Sequence, residues 1–278
     1  MNTLAGGGYS YLRELVFQHS KNVLEPAQDH LFQSRLMGLM HRHGMSRLDD
    51  LVDRLRLVKS PELERAVAEA MTINETSFFR DSRSFELLRT EVIPKLIEAR
   101  RSIRKLRMWS AASSTGQEAF SLAMLVREHF QLVSDWNIQI EGTDISAEVI
   151  QRALQGRFHR IEMNRGLPAR LLVRYFDHVD DDWIIKPEIA GLCHFRQANL
   201  CAPLSFHERF DIIFLRNVML YLSLETRRTL LTVIHRLINP DGYLFLGSAE
   251  QPPDRSLWTT VLLGGTCHFR PRQPPGLS

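Results

Sequence analysis

Cysteine is scarce in this chain: only Cys193, Cys201 and Cys267 occur among its 278 residues. Their number is odd and their spacing matches no metal-binding pattern, which argues against a disulfide framework and against a zinc site. We expect three buried free thiols with no assigned chemistry, and no bound metal.

Long apolar runs are missing as well. No stretch approaches the roughly 18 residues that a transmembrane helix needs, and residues 1–8 lack the apolar core of a signal peptide. We therefore expect a cytoplasmic protein with no direct membrane insertion.

Charge of one sign is not in large excess. The formal net charge of +3 is too small to indicate a nucleic-acid partner, and 44% hydrophobic residues suffice for a globular core. Two local clusters are nevertheless basic: residues 35–47, which contain no acid, and residues 100–107, which carry five basic side chains. The simplest interpretation is a solvated helix face for the first cluster and a basic linker for the second.

Two nucleotide-binding motifs are absent. The chain contains no Gly-x-Gly-x-x-Gly string and no Gly-Lys followed by Ser or Thr. The usual marks of dinucleotide binding and of P-loop hydrolysis are therefore lacking.

The first 98 residues show helical periodicity only, with apolar residues three and four positions apart. Predicted helices cover residues 11–20, 29–43, 47–58, 61–71 and 84–99. We assign residues 1–98 to an all-α amino-terminal domain and residues 99–270 to a second domain.

The second domain alternates strands with helices. Predicted strands lie near residues 106–112, 138–143, 194–199, 210–215 and 243–247, and predicted helices at 117–133, 147–154 and 224–237. This alternation is typical of an α/β domain with a mostly parallel sheet, in which ligands bind at the carboxyl ends of the strands.

Two segments interrupt the alternation. Residues 177–189 predict a short hairpin with an acidic turn, within an inserted antiparallel β subdomain at about 177–192. Residues 258–269 predict a terminal antiparallel hairpin that turns at Gly264 and Gly265. The proline-rich residues 271–278 are expected to be a disordered tail.

The most informative segment is residues 108–123, where a buried strand passes through small residues into a helix. Small side chains let a ligand approach the backbone, and a helix amino terminus offers free N–H groups. Overlapping capping boxes are predicted at Ser114/Gln117 and Thr115/Glu118. Together these features predict a nucleotide-like ligand.

Polar residues follow several of the predicted strands. Asp144, Asn199 and the pair Arg216-Asn217 come after the second, third and fourth strands. Each alone is equally well explained as a cap or turn residue, but their alignment along one sheet edge favours a ligand site. An acid in the position of Asp144 accepts hydrogen bonds from ribose hydroxyls in Rossmann-type sheets.

Residues 74–81, Asn-Glu-Thr-Ser-Phe-Phe-Arg-Asp, place adjacent aromatic residues between polar groups. A helix cap with Phe78 and Phe79 in the core explains the aromatic residues. It does not explain Arg80, whose guanidinium is suited to hold a carboxylate bidentately.

These strings resemble the CheR family, the chemotaxis-receptor glutamate O-methyltransferases. The similarity rests on residues 74–81, on Ser-Ala-Ala-Ser-Ser-Thr-Gly-Gln-Glu at 110–118, on Gly-Thr-Asp-Ile at 142–145, on Asn-Leu at 199–200 and on Phe-Leu-Arg-Asn-Val-Met-Leu-Tyr at 214–221. It implies a small helical domain ahead of a Rossmann-like class I methyltransferase domain with an inserted three-stranded β subdomain. It also implies S-adenosylmethionine as cofactor, with S-adenosylhomocysteine as product.

The resemblance assigns site residues by position. It implies that the cofactor pocket is lined by Asn74, Thr76, Arg80, Glu118, Asp144, Asn199, Leu200, Arg216 and Asn217. Asp144 would lie on the ribose, while Arg80 and Tyr221 would face the methyl group and the substrate. Gln117 and Ala119-Phe120 depart from the family's commoner Glu and Pro-Tyr.

The implied substrate is glutamate on the cytoplasmic methylation helices of chemoreceptors, methylated by a monomeric enzyme. Because those helices are largely acidic, Arg35, Arg42 and Arg47 become candidate docking residues. Family members that dock on a receptor's carboxyl-terminal pentapeptide have a longer, glycine-rich loop where this chain has the short acidic residues 177–182, so no pentapeptide dependence is expected.

Two other functions stay open at this point. The first is methylation of a small molecule or nucleic acid, although the Asn-Pro-Pro-Tyr motif of base-amino methyltransferases is absent. The second is a non-catalytic cofactor-binding adaptor, which would be expected to have lost Arg80, Asp144 or Tyr221, whereas all three are present.

Overall fold

The computed structural model describes residues 7–272. The chain forms two compact units: Met1–Ile73 together with Met219–Thr226, and Asn74–Val218 together with Arg227–Ser278. Within residues 7–272, no helix is long and apolar enough to cross a membrane.

The first unit is helical. Its helices are α1 (Gly8–Ser20), α2 (His30–Arg42), α3 (Leu48–Leu57) and α4 (Pro61–Ala70), with a 3₁₀ turn at Pro26–Gln28. Each helix turns an apolar face inward, and Leu12, Phe32, Leu51 and Val67 are fully buried in one core. The helix α4 begins where its sequence predicts: the Ser60 hydroxyl accepts the Leu63 N–H at 3.3 Å, directly before Pro61.

The second unit contains a seven-stranded sheet in the order β6-β2-β1-β7-β8-β10-β9. Its strands are β1 (Lys105–Ala111), β2 (Asn137–Asp144), β6 (Cys193–Gln197), β7 (Phe210–Leu215), β8 (Ile238–Leu246), β9 (Trp258–Leu263) and β10 (Thr266–Pro271). The first five are parallel, and β10 runs antiparallel to both β8 and β9. The predicted parallel sheet with a terminal antiparallel hairpin is confirmed.

Eight helices follow one another along the chain from Ser82 to Leu237. They are α5 (Ser82–Leu87), α6 (Ile93–Ala99), α7 (Gln117–His129), α8 (Ala147–Gln155), α9 (Arg160–Met163), α10 (Ala169–Tyr175), α11 (Pro187–Ala190) and α12 (Leu224–Leu237). A π-helical turn, Leu88–Val92, joins α5 to α6. Further 3₁₀ turns lie at Gln131–Val133 and Met219–Tyr221.

The division between the units differs from the boundary expected near residue 98. Helices α5 and α6 and the π-helical turn between them pack into the core of the second unit through Phe85, Leu88, Ile93 and Leu96. Helical periodicity predicts that a segment is a helix with a buried face, but it does not reveal which core that face joins.

A small sheet is inserted after α8. Its strands are β3 (Arg157–His159), β4 (Phe176–Val179) and β5 (Asp182–Ile185), in the antiparallel order β3-β5-β4. The hairpin of β4 and β5 turns at Asp180, which has φ 56°, as the acidic residues predict. The inserted subdomain nevertheless begins at β3, earlier than the expected residue 177. The sequence does not predict β3, because a strand of three residues is too short to show a period-two pattern.

Two smaller expectations need correction. The three cysteines are free, but only Cys193 is buried, whereas Cys201 is half-buried and Cys267 is exposed. Burial raises the pKa of the Cys193 thiol, which makes it unreactive. Of the expected tail, Pro271 belongs to β10, and residues 273–278 lie outside the described residues.

Candidate functional site

The carboxyl ends of the central strands come together at one edge of the sheet. Ala111 at the end of β1 pairs with Thr143 of β2 and with Leu215 of β7, and Leu215 pairs with Leu246 of β8. The residues that follow these strands therefore share one edge, where α/β proteins bind their ligands.

The turn between β1 and α7 has an unusual backbone. Ala112, Ser114 and Gly116 have positive φ angles of 59°, 50° and 93°. A Cβ atom on Gly116 would lie 2.9 Å from the Phe120 ring and 3.0 Å from the Phe195 ring. Both the backbone angle and the tight packing thus require glycine at this position.

The predicted capping boxes at the start of α7 are wrong. Gly116 is the N-cap residue, and no side chain caps the helix. The Ser114 hydroxyl instead donates to the Asn74 carbonyl at 2.8 Å, and the Thr115 hydroxyl donates to Gln117 Oε1 at 2.7 Å. Because both hydroxyls have other partners, the first N–H groups of α7 are not satisfied by side-chain caps.

Asp144, the last residue of β2, fixes this turn. Its carboxylate is 5% exposed and accepts the backbone N–H groups of Ser114 at 2.9 Å and Ser146 at 3.0 Å. One acid therefore joins the turn after β1 to the turn after β2, and its carboxylate lies at the edge where a ribose would bind.

Glu118 is the second buried acid of the site. Its Oε1 accepts the Ser110 hydroxyl at 2.7 Å, and its Oε2 accepts Nε of Arg216 at 2.7 Å. Glu118 therefore does not take part in a helix cap. Its carboxylate bonds to a group on β1 and to a cation after β7.

Arg216 connects Glu118 to the segment of residues 74–81. Its Nη1 donates to the Arg80 carbonyl at 2.7 Å and lies 3.3 Å from the Asp81 carboxylate. The side chain is only 2% exposed. A buried arginine with several oxygen partners fixes the position of each of them.

Residues 74–81 form an irregular segment that leads into α5. Phe78 is fully buried and meets Phe158 of β3 edge to face, with ring centroids 5.1 Å apart. Phe79 and Asp81 have positive φ angles of 48° and 55°. The partly exposed Arg80 donates from Nη1 to the Glu75 carbonyl at 3.0 Å. Phe78 therefore anchors the segment and leaves Arg80 near the surface.

The remaining predicted pocket residues of the second unit are less enclosed. Thr76, Asn199, Leu200 and Asn217 are each half-buried. Asn199 lies two residues beyond β6 and accepts the Cys201 N–H at 2.9 Å. Asn217, with φ 59°, donates its backbone N–H to Glu250 Oε2 at 2.8 Å.

Sequence reasoning missed Glu250. Its carboxylate is 6% exposed and accepts the N–H groups of Asn217 and Gly247, the latter at 2.7 Å. The sequence contains a feature that points to Glu250, because an acid that closely follows the carboxyl end of a strand lies at the ligand-binding edge of the sheet. Asp144 was predicted from this feature, and Glu250 follows β8 in the same way. No motif carried it, so the position was not singled out.

Tyr221 belongs to the first unit, whereas the predicted cofactor-binding residues belong to the second. Its carbonyl accepts the Val23 N–H at 2.8 Å, and the neighbouring Leu222 forms a β-bridge with Asn22. The Tyr221 side chain is half-buried. Its assignment to the reacting groups stays a prediction.

The three candidate docking arginines have different surroundings. Arg35 is half-buried and donates to the Met71 carbonyl at 2.8 Å, after the end of α4. Arg47 is exposed and bonds to Asp49 at 2.9 Å, while Arg42 is exposed at the end of α2. Arg35 therefore contributes to the fold of the first unit, and Arg42 and Arg47 present charge to solvent.

Comparison with known proteins identifies the family. Residues 8–72 match the all-alpha domain of the CheR methyltransferases, and residues 74–264 match their SAM (S-adenosylmethionine) binding domain. The chain is 40% identical over 233 residues to chemotaxis protein methyltransferase 1 of Pseudomonas aeruginosa, covering 82% of this chain and 84% of that protein.

Two further relatives agree. The chain is 38% identical over 228 residues to chemotaxis protein methyltransferase Cher2 of Pseudomonas putida, covering 80% of this chain and 82% of the relative. It is 36% identical over 231 residues to chemotaxis protein methyltransferase 1 of Vibrio cholerae, covering 82% and 83%. The chain therefore belongs to the CheR methyltransferase family, and S-adenosylmethionine is its cofactor.

Proposed function

We propose that this protein methylates glutamate side chains on the cytoplasmic helices of chemoreceptors, giving glutamate methyl ester and S-adenosylhomocysteine. The observation that carries the proposal is the bonding of Arg216 to both Glu118 and the Arg80–Asp81 segment. One buried cation thereby links an acid of the cofactor-binding domain to the arginine suited to hold an acceptor carboxylate.

The residues at the sheet edge fit the cofactor. Asp144 is a buried acid in the position that accepts ribose hydroxyls in Rossmann-type sheets. Glu118 supplies a second buried carboxylate, whose oxygens can accept a further hydrogen bond from the α-ammonium group of the cofactor's zwitterionic amino-acid part. Asn74, Thr76, Asn199, Leu200, Arg216 and Asn217 are proposed to complete the pocket.

Bound S-adenosylmethionine supplies an electrophilic methyl group on a positively charged sulfur. The side chain of glutamate has an ordinary pKa of about 4.3, so the acceptor is ionised near neutral pH and needs no general base. The residues of the site therefore act by holding the acceptor in line and excluding water from it. We assign the holding of the acceptor carboxylate to Arg80 and a supporting hydrogen bond to the Tyr221 hydroxyl.

The direct test is methyl transfer from labelled S-adenosylmethionine to a receptor cytoplasmic fragment, followed by mild alkaline hydrolysis. A glutamate methyl ester releases labelled methanol, whereas an N-methyl amide does not. Label that resists alkali would indicate a different acceptor chemistry. Cofactor binding without any transfer would favour the non-catalytic adaptor.

We propose that the exposed basic surface formed by Arg42 and Arg47 docks the acidic receptor helices. The variant Arg42→Glu/Arg47→Glu should raise KM for the receptor fragment about tenfold at low salt, with a smaller effect at high salt because ions screen exposed charges. Steady-state kinetics at two salt concentrations measure this. The control is Arg54→Glu/Lys59→Glu, which changes the net charge equally at exposed positions of the same unit. Equal effects of the two variants on KM would show that Arg42 and Arg47 belong to a solvated helix face and do not dock the receptor.

We propose that activity needs no carboxyl-terminal receptor pentapeptide. The β4–β5 turn is short, and Asp182 beside it is held by Arg157 at 2.5 Å and by His159. The Arg157 guanidinium lowers the pKa of Asp182 by pairing with its carboxylate, whereas the neighbouring Asp181 is exposed in the turn and would repel a peptide carboxylate. Removing the last five receptor residues should leave kcat/KM unchanged, and calorimetry with the free pentapeptide should show no heat of binding. A micromolar Kd would contradict this proposal.

A further inference from the structure

A cavity of ≈ 410 Å³ opens beside the site, at the carboxyl end of β8. One wall is the start of α5, including Asp81 and Arg83, and a second wall is the segment after β8, including Glu250. The third wall is the β9–β10 hairpin, including Gly265 and Cys267. No cofactor-binding residue predicted from the sequence lines this cavity.

The cavity nevertheless adjoins the predicted cofactor pocket. Its wall residue Asp81 bonds to Arg216, which also bonds to Glu118. Its wall residue Glu250 accepts the backbone N–H of Asn217 at 2.8 Å. Two wall residues of the cavity are therefore hydrogen-bonded to residues assigned to the methyl donor. The cavity thus lies next to the proposed cofactor pocket, and an acceptor must bind at such a place.

The charges of the cavity favour an anionic occupant. Asp81 is paired with Arg216, and Glu250 accepts two backbone N–H groups. Arg83 is exposed, and its guanidinium makes no hydrogen bond or ion pair within residues 7–272. Both acids thus have partners on this chain, whereas the only cation of the lining has none among the described residues.

The guanidinium of Arg83 lies close to the hairpin. Arg83 Nη1 lies 3.8 Å from the position that a Cβ atom on Gly265 would occupy, and Gly264 has open space on its side-chain face. The lining also offers hydroxyl groups from Ser82, Ser248, Thr260 and Thr266. A guanidinium among hydroxyls can bind a carboxylate on a polar polypeptide segment.

We infer that this cavity receives the acceptor segment of the substrate, and that Arg83 binds a second carboxylate close to the glutamate being methylated. The inference rests on the proposed function, because it takes the acceptor to be an acidic polypeptide. Arg83 is then a specificity-determining residue, distinct from Arg80, which holds the reacting carboxylate.

The first test is charge reversal at Arg83. Arg83→Glu should raise KM for the receptor fragment at least about tenfold, with little change in the Kd for S-adenosylhomocysteine, because a charge-assisted hydrogen bond contributes to acceptor binding alone. The control is Arg209→Glu, an exposed arginine just before β7, at the opposite edge of the sheet. Replacing acidic residues near the methylated glutamate by lysine, one at a time, should restore activity to Arg83→Glu at one position.

The outcomes separate the two proposals. Transfer by the wild type with equal KM for Arg83→Glu and Arg209→Glu would overturn the inference and leave the proposed function standing. Absence of transfer by the wild type to any receptor fragment would overturn both.

A second measurement locates the acceptor directly. Cys267 lines the cavity and is exposed, whereas Cys193 is buried, so Cys201→Ser leaves one accessible thiol. Receptor fragment with S-adenosylhomocysteine should slow alkylation of Cys267 by N-ethylmaleimide at least about fivefold, since a bound segment covers the thiol. An unchanged alkylation rate at saturating fragment would place the acceptor elsewhere.

Discussion

Replacing Arg216 by methionine should lower the free energy of unfolding by about 3 kcal/mol, because it leaves the buried Glu118 carboxylate without its cation. The Arg216 side chain is 2% exposed and bonds to Glu118 at 2.7 Å. The loss should also weaken cofactor binding, since the Arg80 carbonyl and Asp81 lose the same partner. Urea denaturation and calorimetric titration with S-adenosylhomocysteine measure the two effects.

A double-mutant cycle tests the cause. Glu118→Gln removes the uncompensated charge, so Glu118→Gln/Arg216→Met should be more stable than Arg216→Met alone. Arg209→Met serves as the exposed control and should change stability by less than about 0.5 kcal/mol. Additive effects of the two substitutions would show that the pair is not energetically coupled.

Arg80→Ala should lower kcat for methyl transfer about 100-fold, because a misplaced acceptor loses its alignment with the methyl group. The backbone carbonyl that binds Arg216 is retained in this variant, so the fold of the segment should survive. The guanidinium is partly exposed and is oriented by its bond to the Glu75 carbonyl, which leaves further N–H groups to bind a carboxylate. Single-turnover kinetics at saturating cofactor give the rate of the transfer step.

Two variants sharpen this prediction. Arg80→Lys keeps the charge but loses the planar fork, so it should recover only part of the rate. Tyr221→Phe should reduce kcat by less than about tenfold, because it removes one neutral hydrogen bond. Turnover that survives Arg80→Ala unchanged would show that Arg80 does not position the acceptor.

The architecture of the second unit was predictable because its strands are strongly apolar and alternate with helices. The three-residue β3 was not, since its pairing with β5 joins positions far apart in the sequence, such as Phe158 and Trp183, with α9, α10 and β4 between them. The capping boxes failed for a related reason. Ser114 bonds to Asn74, a partner 40 positions away that local patterns do not reveal.

The candidate site also combines features that local sequence predicts with features that depend on contacts between distant residues. Asp144 was identified because an acid directly after a buried strand lies at the ligand-binding edge of a parallel sheet. The bond between Arg216 and the Arg80 carbonyl spans 136 positions, so no local pattern contains it. The cavity beside Arg83 is likewise formed by segments distant in the chain. Local sequence thus predicted the edge of the sheet at which the cofactor is expected to bind, whereas only the tertiary structure shows the neighbouring cavity that we propose receives the acceptor.

The segment Met219–Thr226 has a consequence for modularity. It lies within the chain of the second unit but groups with the helical one, so the polypeptide passes between the two units three times. Expressing the second unit without residues 1–73 would remove Asn22 and Val23, the backbone partners of Leu222 and Tyr221. The helical domain therefore cannot simply be replaced by an unrelated domain. A chimera with another amino-terminal domain must supply equivalent backbone partners for Tyr221 and Leu222.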